Sequence, residues 1–265
     1  MINNAVAGSD AYGYWYDMQE TGMGANFDPN ICPEFTKLGE FRNNTVHGVR
    51  KYGLRIFHAL VPRTYPCKAS PYDADYLEKG ETDPYWQNPK IPAVFDDLIA
   101  YKCGFNGAIT ERTGAVTFKN FKLADNGIAG CEFAEIEDVV DGYAKFEDSV
   151  VIGNSGYNDA DGVLAGSSVK GVIGPKTEFF GMSNIAFHNF DFGLSGALST
   201  CSHCFHHASS RAGGLTYTTS GLSFTNTPKR IWYQEPFREI IHDLDGSLTN
   251  LGPNSWAVVA QPHLY

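Results

Sequence analysis

Short runs of Phe, Val, Ile and Thr recur along the chain and are separated by Asn-Gly, Gly and Asp turns. Apolar runs of this length, bounded by turn residues, are typical of β-strands. No window of about 12 residues combines helix-forming composition with apolar residues at the i, i+3, i+4 and i+7 spacing of an amphipathic helix. The pattern therefore predicts an all-β chain.

Three of these runs align without gaps, and each opens with a phenylalanine and carries a glycine twelve residues later. The aligned residues are Phe41, Phe95 and Phe118 with Gly53, Gly107 and Gly130. A fourth copy opens at Phe146 and lacks the second glycine, and successive copies from Phe95 onward are 23 and 28 residues apart. Self-similarity at such a period is typical of a solenoid.

Because the repeated elements are short strands, each period is interpreted as one coil of a right-handed parallel β-helix. Stacked coils would lie about 4.8 Å apart and would collect the phenylalanines into an internal ladder. The glycines would mark tight corners that need a positive φ or a close backbone approach. We expect one domain over residues 1–265 with five or more coils and long loops near residues 62–93 and 155–180. A β-sandwich is the alternative, since its strands recur every 8–12 residues or so.

Composition limits the partners of such a chain. The net charge is −10, and no basic stripe is evident, which argues against nucleic-acid binding. No apolar run approaches 18 residues or so, and we therefore expect no membrane insertion. The opening MINNAVAGSDAYGYWY lacks the features of a secretory signal, so a secreted form would take its signal from outside this sequence.

Six cysteines permit three disulfides. The segment Thr200–Ser210 (TCSHCFHHASS) holds Cys201 and Cys204, which a strand would direct to opposite faces, so a tetrahedral zinc site is the less favoured alternative. We expect a local Cys201–Cys204 bridge and a Cys32–Cys67 bridge that holds the first loop. Cys103 and Cys131 form a third candidate pair, although they lie at non-equivalent positions of adjacent coils.

Three segments resemble fibrocystin and the fibrocystin-like proteins: AVAGSDAYGYWYDM (5–18), FRNNTVHGVRKYGLRIF (41–57) and PFREIIHDLDGSLTNLG (236–252). The order AGS…GYWY, F-x-x-N-x-x-H, CSHC and DLDGSLT carries the resemblance across almost the whole chain. The matching residues to which we assign structural roles are Phe41, Asn44, His47, Asp243, Asp245 and Gly246.

The resemblance implies an extracellular or cell-surface β-helix region that serves as a scaffold and has no catalytic residues, metal or other cofactor. Further domains or identical copies stacked end to end, in a filament or a large ectodomain, and glycans are the expected partners. A related branch of hyaluronan-binding and hyaluronan-depolymerising proteins shares the β-helix and a similar DxDGS stretch. The alternative is therefore a glycan-binding or polysaccharide-degrading protein on the same fold, but no residue here matches that branch's catalytic set.

Several local motifs have both a functional interpretation and a simpler structural one. Asp243, Asp245 and Gly246 match the start of a haloacid-dehalogenase phosphatase motif, but only 16 residues follow Thr249, and a strand-ending turn capped by Asp side chains is preferred. YNDADG (157–162) is part of a calcium-loop pattern or a solvated turn. Asn43 opens the one glycosylation sequon of the sequence, and Asn44 is expected to hydrogen-bond inside a coil corner. The aromatics of 12–16 either cap the core or form a sugar platform.

Overall fold

A computed structural model describes residues 1–28, 30–67, 89–136, 144–156, 169–175, 179–200, 215–232 and 239–258. Within them the strands are β1 (Ala5–Ala7), β2 (Tyr12–Met18), β3 (Asn44–His47), β4 (Tyr52–His58), β5 (Ala93–Asp96), β6 (Leu98–Tyr101), β7 (Asn106–Thr113), β8 (Val116–Lys119), β9 (Lys122–Ala124), β10 (Ala129–Ile136), β11 (Ala144–Ile152), β12 (Lys170–Gly174), β13 (Phe179–His188), β14 (Gly196–Thr200), β15 (Leu215–Ser220), β16 (Ser223–Thr225), β17 (Glu239–Asp243) and β18 (Ser255–Val258). Two 3-10 helices span Gly24–Asn26 and Pro33–Phe35. No helix in these ranges has the length and apolar character needed to cross a bilayer.

The strands stack in parallel, coil upon coil, on three faces. The long strands β11 and β13 each run across two faces. The first face consists of β5, β8, β15, β17 and the first halves of β11 and β13. The second face consists of β1, β3, β6, β9, β16 and the second halves of β11 and β13. The third face is a six-stranded sheet in the order β14-β12-β10-β7-β4-β2. Between named strands of the described chain, β17 with β18 is the antiparallel pairing. This parallel stacking confirms the predicted solenoid, because a β-sandwich is built from antiparallel strands.

The phenylalanine ladder lies inside the coils as predicted. Phe41, Phe95, Phe118 and Phe146 share one register position on the first face, and each is at most 1% exposed. The ring centroids of Phe41 and Phe95 are 5.2 Å apart, and those of Phe95 and Phe118 are 5.7 Å apart. The repeat in the sequence is thus the repeat of the core.

The glycine column lies on the third face, where a side chain would meet the backbone of the next coil. The residues that follow Gly53, Gly107 and Gly130 are register partners, and none of the three glycines has a positive φ. A Cβ atom at Gly107 would lie 2.7 Å from the Gly130 carbonyl oxygen and 2.7 Å from Asn126 Nδ2. Of the two reasons predicted for these glycines, close backbone approach is the one that applies.

Replacing Gly107 by alanine is expected to lower the free energy of unfolding by about 1–3 kcal/mol, because the new methyl group meets the backbone of the next coil. Gly39→Ala is a matched control, since a Cβ atom there would contact nothing within 4 Å. Urea unfolding of both variants measures the effect. Equal losses in the two variants would show that the coils are not closely stacked at Gly107.

A column of left-handed residues turns the chain between the first and second faces, and it was not predicted. Each ladder phenylalanine is followed two residues later by Asn or Asp with φ between 50° and 55°: Asn43, Asp97, Asn120 and Asp148. Asn and Asp adopt this conformation more readily than other non-glycine residues. Their side chains also bond along the stack, as where Asn43 Nδ2 donates to Asn3 Oδ1 over 2.7 Å.

One of the two predicted loops needs a correction. β12 lies inside the range 155–180, and its Val172 pairs with Cys131 below and Leu198 above, so this part of the range belongs to the stack. In the range 62–93, Arg63 and Lys90 form an antiparallel bridge and β5 begins at Ala93. Residues 68–88 lie outside the described residues.

Candidate functional site

Cys32 and Cys67 form a disulfide with their Cα atoms 5.4 Å apart. The bond joins the segment after β2 to the segment after β4. These two segments also bond through their backbones, where Val61 N–H donates to Glu34 O over 2.9 Å and Arg63 N–H to Phe35 O over 2.8 Å. The disulfide therefore holds the first excursion against the coil, as the sequence predicted.

The candidate pair Cys103 and Cys131 is a correction, because both thiols are free and buried. Cys131 lies in β10 on the third face, whereas Cys103 follows β6 at a corner, where its N–H donates to Asn126 Oδ1 over 3.1 Å. Stacking does not bring these non-equivalent positions into register. Burial raises the pKa of the Cys103 thiol to about 12 and that of Cys131 well above its usual range, so both stay protonated.

The Cys201–Cys204 bridge and the whole CSHCFHH segment lie outside the described residues. So does YNDADG. Among the residues that the structure describes, no group of three or more His, Cys, Asp or Glu side chains is arranged to hold a metal ion.

The motif Phe41, Asn44 and His47 packs the first coils together. Asn44 is 1% exposed; its Oδ1 accepts from the N–H of Asn4 over 3.0 Å, and its Nδ2 donates to Met1 O over 3.2 Å. These bonds confirm the internal role predicted for its amide. His47 stacks on Tyr101 of the next coil, with ring centroids 4.8 Å apart.

The C-terminal motif ends a strand with a capped turn, as predicted. β17 ends at Asp243, which is fully buried and whose Oδ2 accepts from the N–H of Leu248 over 3.0 Å and of Thr249 over 2.7 Å. Asp245 Oδ2 accepts from Gly221 N–H over 2.6 Å. Burial raises the pKa of the Asp245 carboxyl, but its hydrogen bonds to Ser247 and Gly221 together outweigh burial and lower the pKa below its usual value. Gly246 supplies the positive φ of the turn, at 81°. The carboxylates of Asp243 and Asp245 therefore cap backbone N–H groups.

The aromatics of β2 divide between the core and the surface. Tyr14 is 5% exposed and Tyr16 packs against the core, where burial raises the pKa of the Tyr16 phenol to about 12. Trp15 is 47% exposed, and Tyr12 stacks on Tyr52 of the next coil with ring centroids 6.0 Å apart. Alternate residues of this segment thus face the core and the surface.

We define the aromatic surface as Tyr12, Trp15, Tyr52, Arg55 and Phe57 on the third face. Arg55 is its centre: Nη1 donates to Tyr12 Oη over 2.8 Å and Nη2 to Glu111 Oε1 over 2.9 Å. The guanidinium carbon lies 4.3 Å from the Phe57 ring centroid and 5.3 Å from that of Tyr52. Sequence reasoning found Tyr12 and Trp15 but missed Tyr52, Arg55 and Phe57, although all three lie in the aligned repeat that starts at Phe41.

Comparison with known proteins agrees with this coil architecture. A family model described as CEMIP beta-helix matches residues 1–54, which include β1 to the start of β4. Fibrocystin-L of Homo sapiens is 29% identical over 258 residues, which cover 93% of this chain. The chain is similar to fibrocystin-L over most of its length.

Other proteins extend the comparison. Fibrocystin of Canis lupus familiaris is 28% identical over 212 residues, covering 80% of this chain and 4% of that protein. Cell surface hyaluronidase CEMIP2 of Homo sapiens is 38% identical over 144 residues, covering 51% of this chain and 10% of that protein. The chain spans 6% of the length of human fibrocystin-L. No solved structure matches.

Proposed function

We propose that this fibrocystin-like chain is a non-enzymatic, extracellular or cell-surface structural module that associates through the N-terminal end of its β-helix. The coil is right-handed, since parallel strands connected by crossovers almost always take that hand. The residues that match the family motifs support a scaffold, because Phe41, Asn44 and Asp243 pack and cap the coils. Among the described residues, β1 and β2 are each the last strand of their sheet, and these edges are the observation that supports the proposal.

Val6 of β1 is less covered by the described residues than the other members of its core column. Val6 occupies the same register column as Val46, Ala100 and Leu123, which are each at most 1% exposed. Val6 itself is only partly buried. A further coil on this side would bury Val6 as completely as its column partners, and would contribute part of the about 1.5–3 kcal/mol that full burial of an exposed side chain contributes.

The backbone of the first coil also presents strand edges. In the described residues β1 pairs with β3 and β2 with β4, and each is the last strand of its sheet. Asn4 O accepts from Thr45 N–H, and Gly8 N–H donates to His47 O. Since alternate residues of a parallel strand bond to opposite neighbours, the N–H groups of Ala5 and Ala7 face away from β3. Such an edge is a template for another strand.

The C-terminal end differs from the N-terminal end. There β18 runs antiparallel to β17 and occupies its outer edge, pairing Ile240 with Val258 and Asp243 with Ser255. A second copy therefore finds the edge of the first face occupied at this end. For this reason we assign association to β1 and β2, with further β-helix coils or the same end of a second copy as the partner.

Ala7→Pro tests this assignment, because proline removes the outward N–H group and leaves the β1–β3 bonds in place. We expect the wild-type chain to self-associate with rising concentration in sedimentation velocity and Ala7→Pro to remain monomeric. Ala7→Ser keeps the N–H group and should behave as wild type. A wild-type chain that stays monomeric at every concentration would contradict self-association through this end.

A second candidate function is glycan binding on the aromatic surface. Sugar rings stack on exposed aromatic faces, and Trp15 beside the Tyr12–Tyr52 stack offers one next to the Arg55 cation. One relative is named a cell surface hyaluronidase. Trp15→Ala should then abolish most binding of hyaluronan oligosaccharides in calorimetry, while Trp256→Ala, which removes a tryptophan that is 55% exposed near the C-terminal end, should not. Absence of binding by the wild type would exclude this candidate for hyaluronan.

We also expect an N-linked glycan on Asn43 when the chain is made in a secretory host. Asn43 is exposed in a left-handed turn, outside the strand that begins at Asn44, so burial in a strand does not block it. Intact mass before and after enzymatic deglycosylation measures occupancy, and Asn43→Gln should show no difference. An unmodified wild-type chain from that host would contradict this expectation.

A further inference from the structure

Two lysines flank one tryptophan at the C-terminal end of the third face. Lys170 opens β12, and its Nζ lies 5.4 Å from the ring centroid of Trp232. Lys229 Nζ lies 4.6 Å from the same centroid. We call Lys170, Lys229 and Trp232 the lysine–tryptophan cluster.

The backbone makes room for this cluster at Gly196, the register partner of Lys170 in β14. A Cβ atom at Gly196 would lie 2.8 Å from Trp232 Cβ, so the missing side chain lets Trp232 approach the sheet. Lys170 Nζ donates to Leu194 O, and Lys229 Nζ donates to Gly193 O over 3.4 Å. Both ammonium groups therefore converge on the same short segment before β14.

The charges of the cluster are not balanced within it. Lys170 is 4% exposed, and across the part of the chain that is described neither it nor Lys229 forms an ion pair with a carboxylate. Among the described residues, the buried indole Nε1 of Trp232 has no hydrogen-bond acceptor. Burying a charged group without an opposite charge is costly, and so is burying an N–H group without an acceptor. The whole chain is acidic, which makes two adjacent unpaired cations more unusual.

We propose that the lysine–tryptophan cluster is a binding site for an oxyanion, that is, a sulfate or carboxylate group. The anion would accept charge-assisted hydrogen bonds from both ammonium groups and would supply the acceptor that Trp232 Nε1 lacks. It would also remove the repulsion between the two lysines. This site lies on other coils than the N-terminal edges, so it is independent of the proposed stacking.

The site should bind more tightly below neutral pH. Burial, and after it the nearby charge of Lys229, lowers the pKa of Lys170 to about 7. The register neighbours of Lys170 on β10 and β14 are Ala129 and Gly196, which carry no charge, so among the described residues Lys229 is the charged group that faces it. An anion binds the protonated lysine, which is the major form at pH 6 and the minor form at pH 8. We therefore expect sulfate affinity about tenfold weaker at pH 8 than at pH 6.

The experiment follows the thermal unfolding midpoint of the full chain against sodium sulfate, with ionic strength held constant by sodium chloride. Sulfate stabilises most proteins by exclusion from their surfaces, which gives a gradual, non-saturating rise. Specific binding adds a saturating rise. We expect this saturating part in the wild type and in the control Lys119→Met, which removes a lysine that is ion-paired with Asp148 on the first face.

Lys170→Met and Lys229→Met should each retain the gradual rise and lose the saturating one. Lys229 contributes through an exposed hydrogen bond, so its variant is expected to fold even if Lys170→Met does not. A parallel series with sodium acetate tells whether the site prefers a tetrahedral or a planar oxyanion. The proposal is overturned if neither anion gives a saturating rise with the wild type, or if the rise is the same in Lys229→Met.

Discussion

Replacing Phe118 by alanine is expected to lower the free energy of unfolding by about 3–5 kcal/mol, the cost of emptying a large, fully buried aromatic site. Phe118 is fully buried, and its ring centroid lies 5.7 Å from that of Phe95, 4.9 Å from Phe121 and 4.7 Å from Phe133. The variant therefore leaves a cavity that touches the first face, its turn and the third face together. Urea unfolding followed by circular dichroism measures the loss.

Phe27→Ala is the matched control for this prediction. Phe27 is 62% exposed and follows the first 3-10 helix, outside the coil stack. Its removal should change the free energy of unfolding by no more than about 0.5 kcal/mol. If the two variants lose similar amounts, Phe118 does not lie in a packed internal ladder.

Removal of the Cys32–Cys67 disulfide should lower the free energy of unfolding by about 2–4 kcal/mol. The bond closes a sequence separation of 35 residues and thereby limits the freedom of the unfolded chain. Replacing either cysteine by serine breaks the same bond. Cys32→Ser, Cys67→Ser and the double variant should therefore show nearly equal losses in urea unfolding.

Additive losses from the two single variants would contradict this account, because independent sites add and a shared bond does not. Comparison of variants is preferable to treatment with a reductant, which would also act on any other disulfide of the chain. The free thiols Cys103 and Cys131 are present in all variants and do not distinguish them.

The repeating core could be predicted from the sequence because it depends on side chains that recur at one register position. Phe95 and Phe118 are separated by one undisturbed coil, so their alignment appears without gaps. β12 was missed because its coil opens at Phe146 and the third-face glycine, Gly171, follows 25 residues later instead of twelve. In the next coil Met182 takes the place of phenylalanine. A repeat search that depends on one residue type fails where another apolar residue fills the same position.

The turns between the first and second faces have a sequence signal that the alignment of the repeats did not use. Asn43, Asp97, Asn120 and Asp148 all follow a ladder phenylalanine by two residues, and this F-x-[N/D] spacing marks the left-handed corner in each coil. Aligning the copies on this residue as well as on phenylalanine would have fixed where the first face ends.

The side-chain contacts on the surface of the third face could not be predicted, because the sequence does not show which residues of neighbouring strands lie opposite each other. Arg55 contacts Tyr12 of the coil below and Glu111 of the coil above, residues that are 43 and 56 positions away in the chain. Loops of unequal length separate these coils, so no sequence spacing connects the three. The lysine–tryptophan cluster was missed for the same reason, because Lys229 and Trp232 follow β16 and lie over β14 only in the folded stack.

Cysteine cross-linking between adjacent coils tests the parallel stack most directly. Val94 and Thr117 are register partners on the first face, whereas Lys119 lies two residues further along β8. Register partners of adjacent strands fall within the Cα separation of about 4.4–6.8 Å that a disulfide needs. On mild oxidation we predict a disulfide between the new cysteines in Val94→Cys with Thr117→Cys, identified by peptide mass mapping, and none in Val94→Cys with Lys119→Cys. Failure of the first pair to cross-link, or equal cross-linking of both pairs, would contradict the coil register.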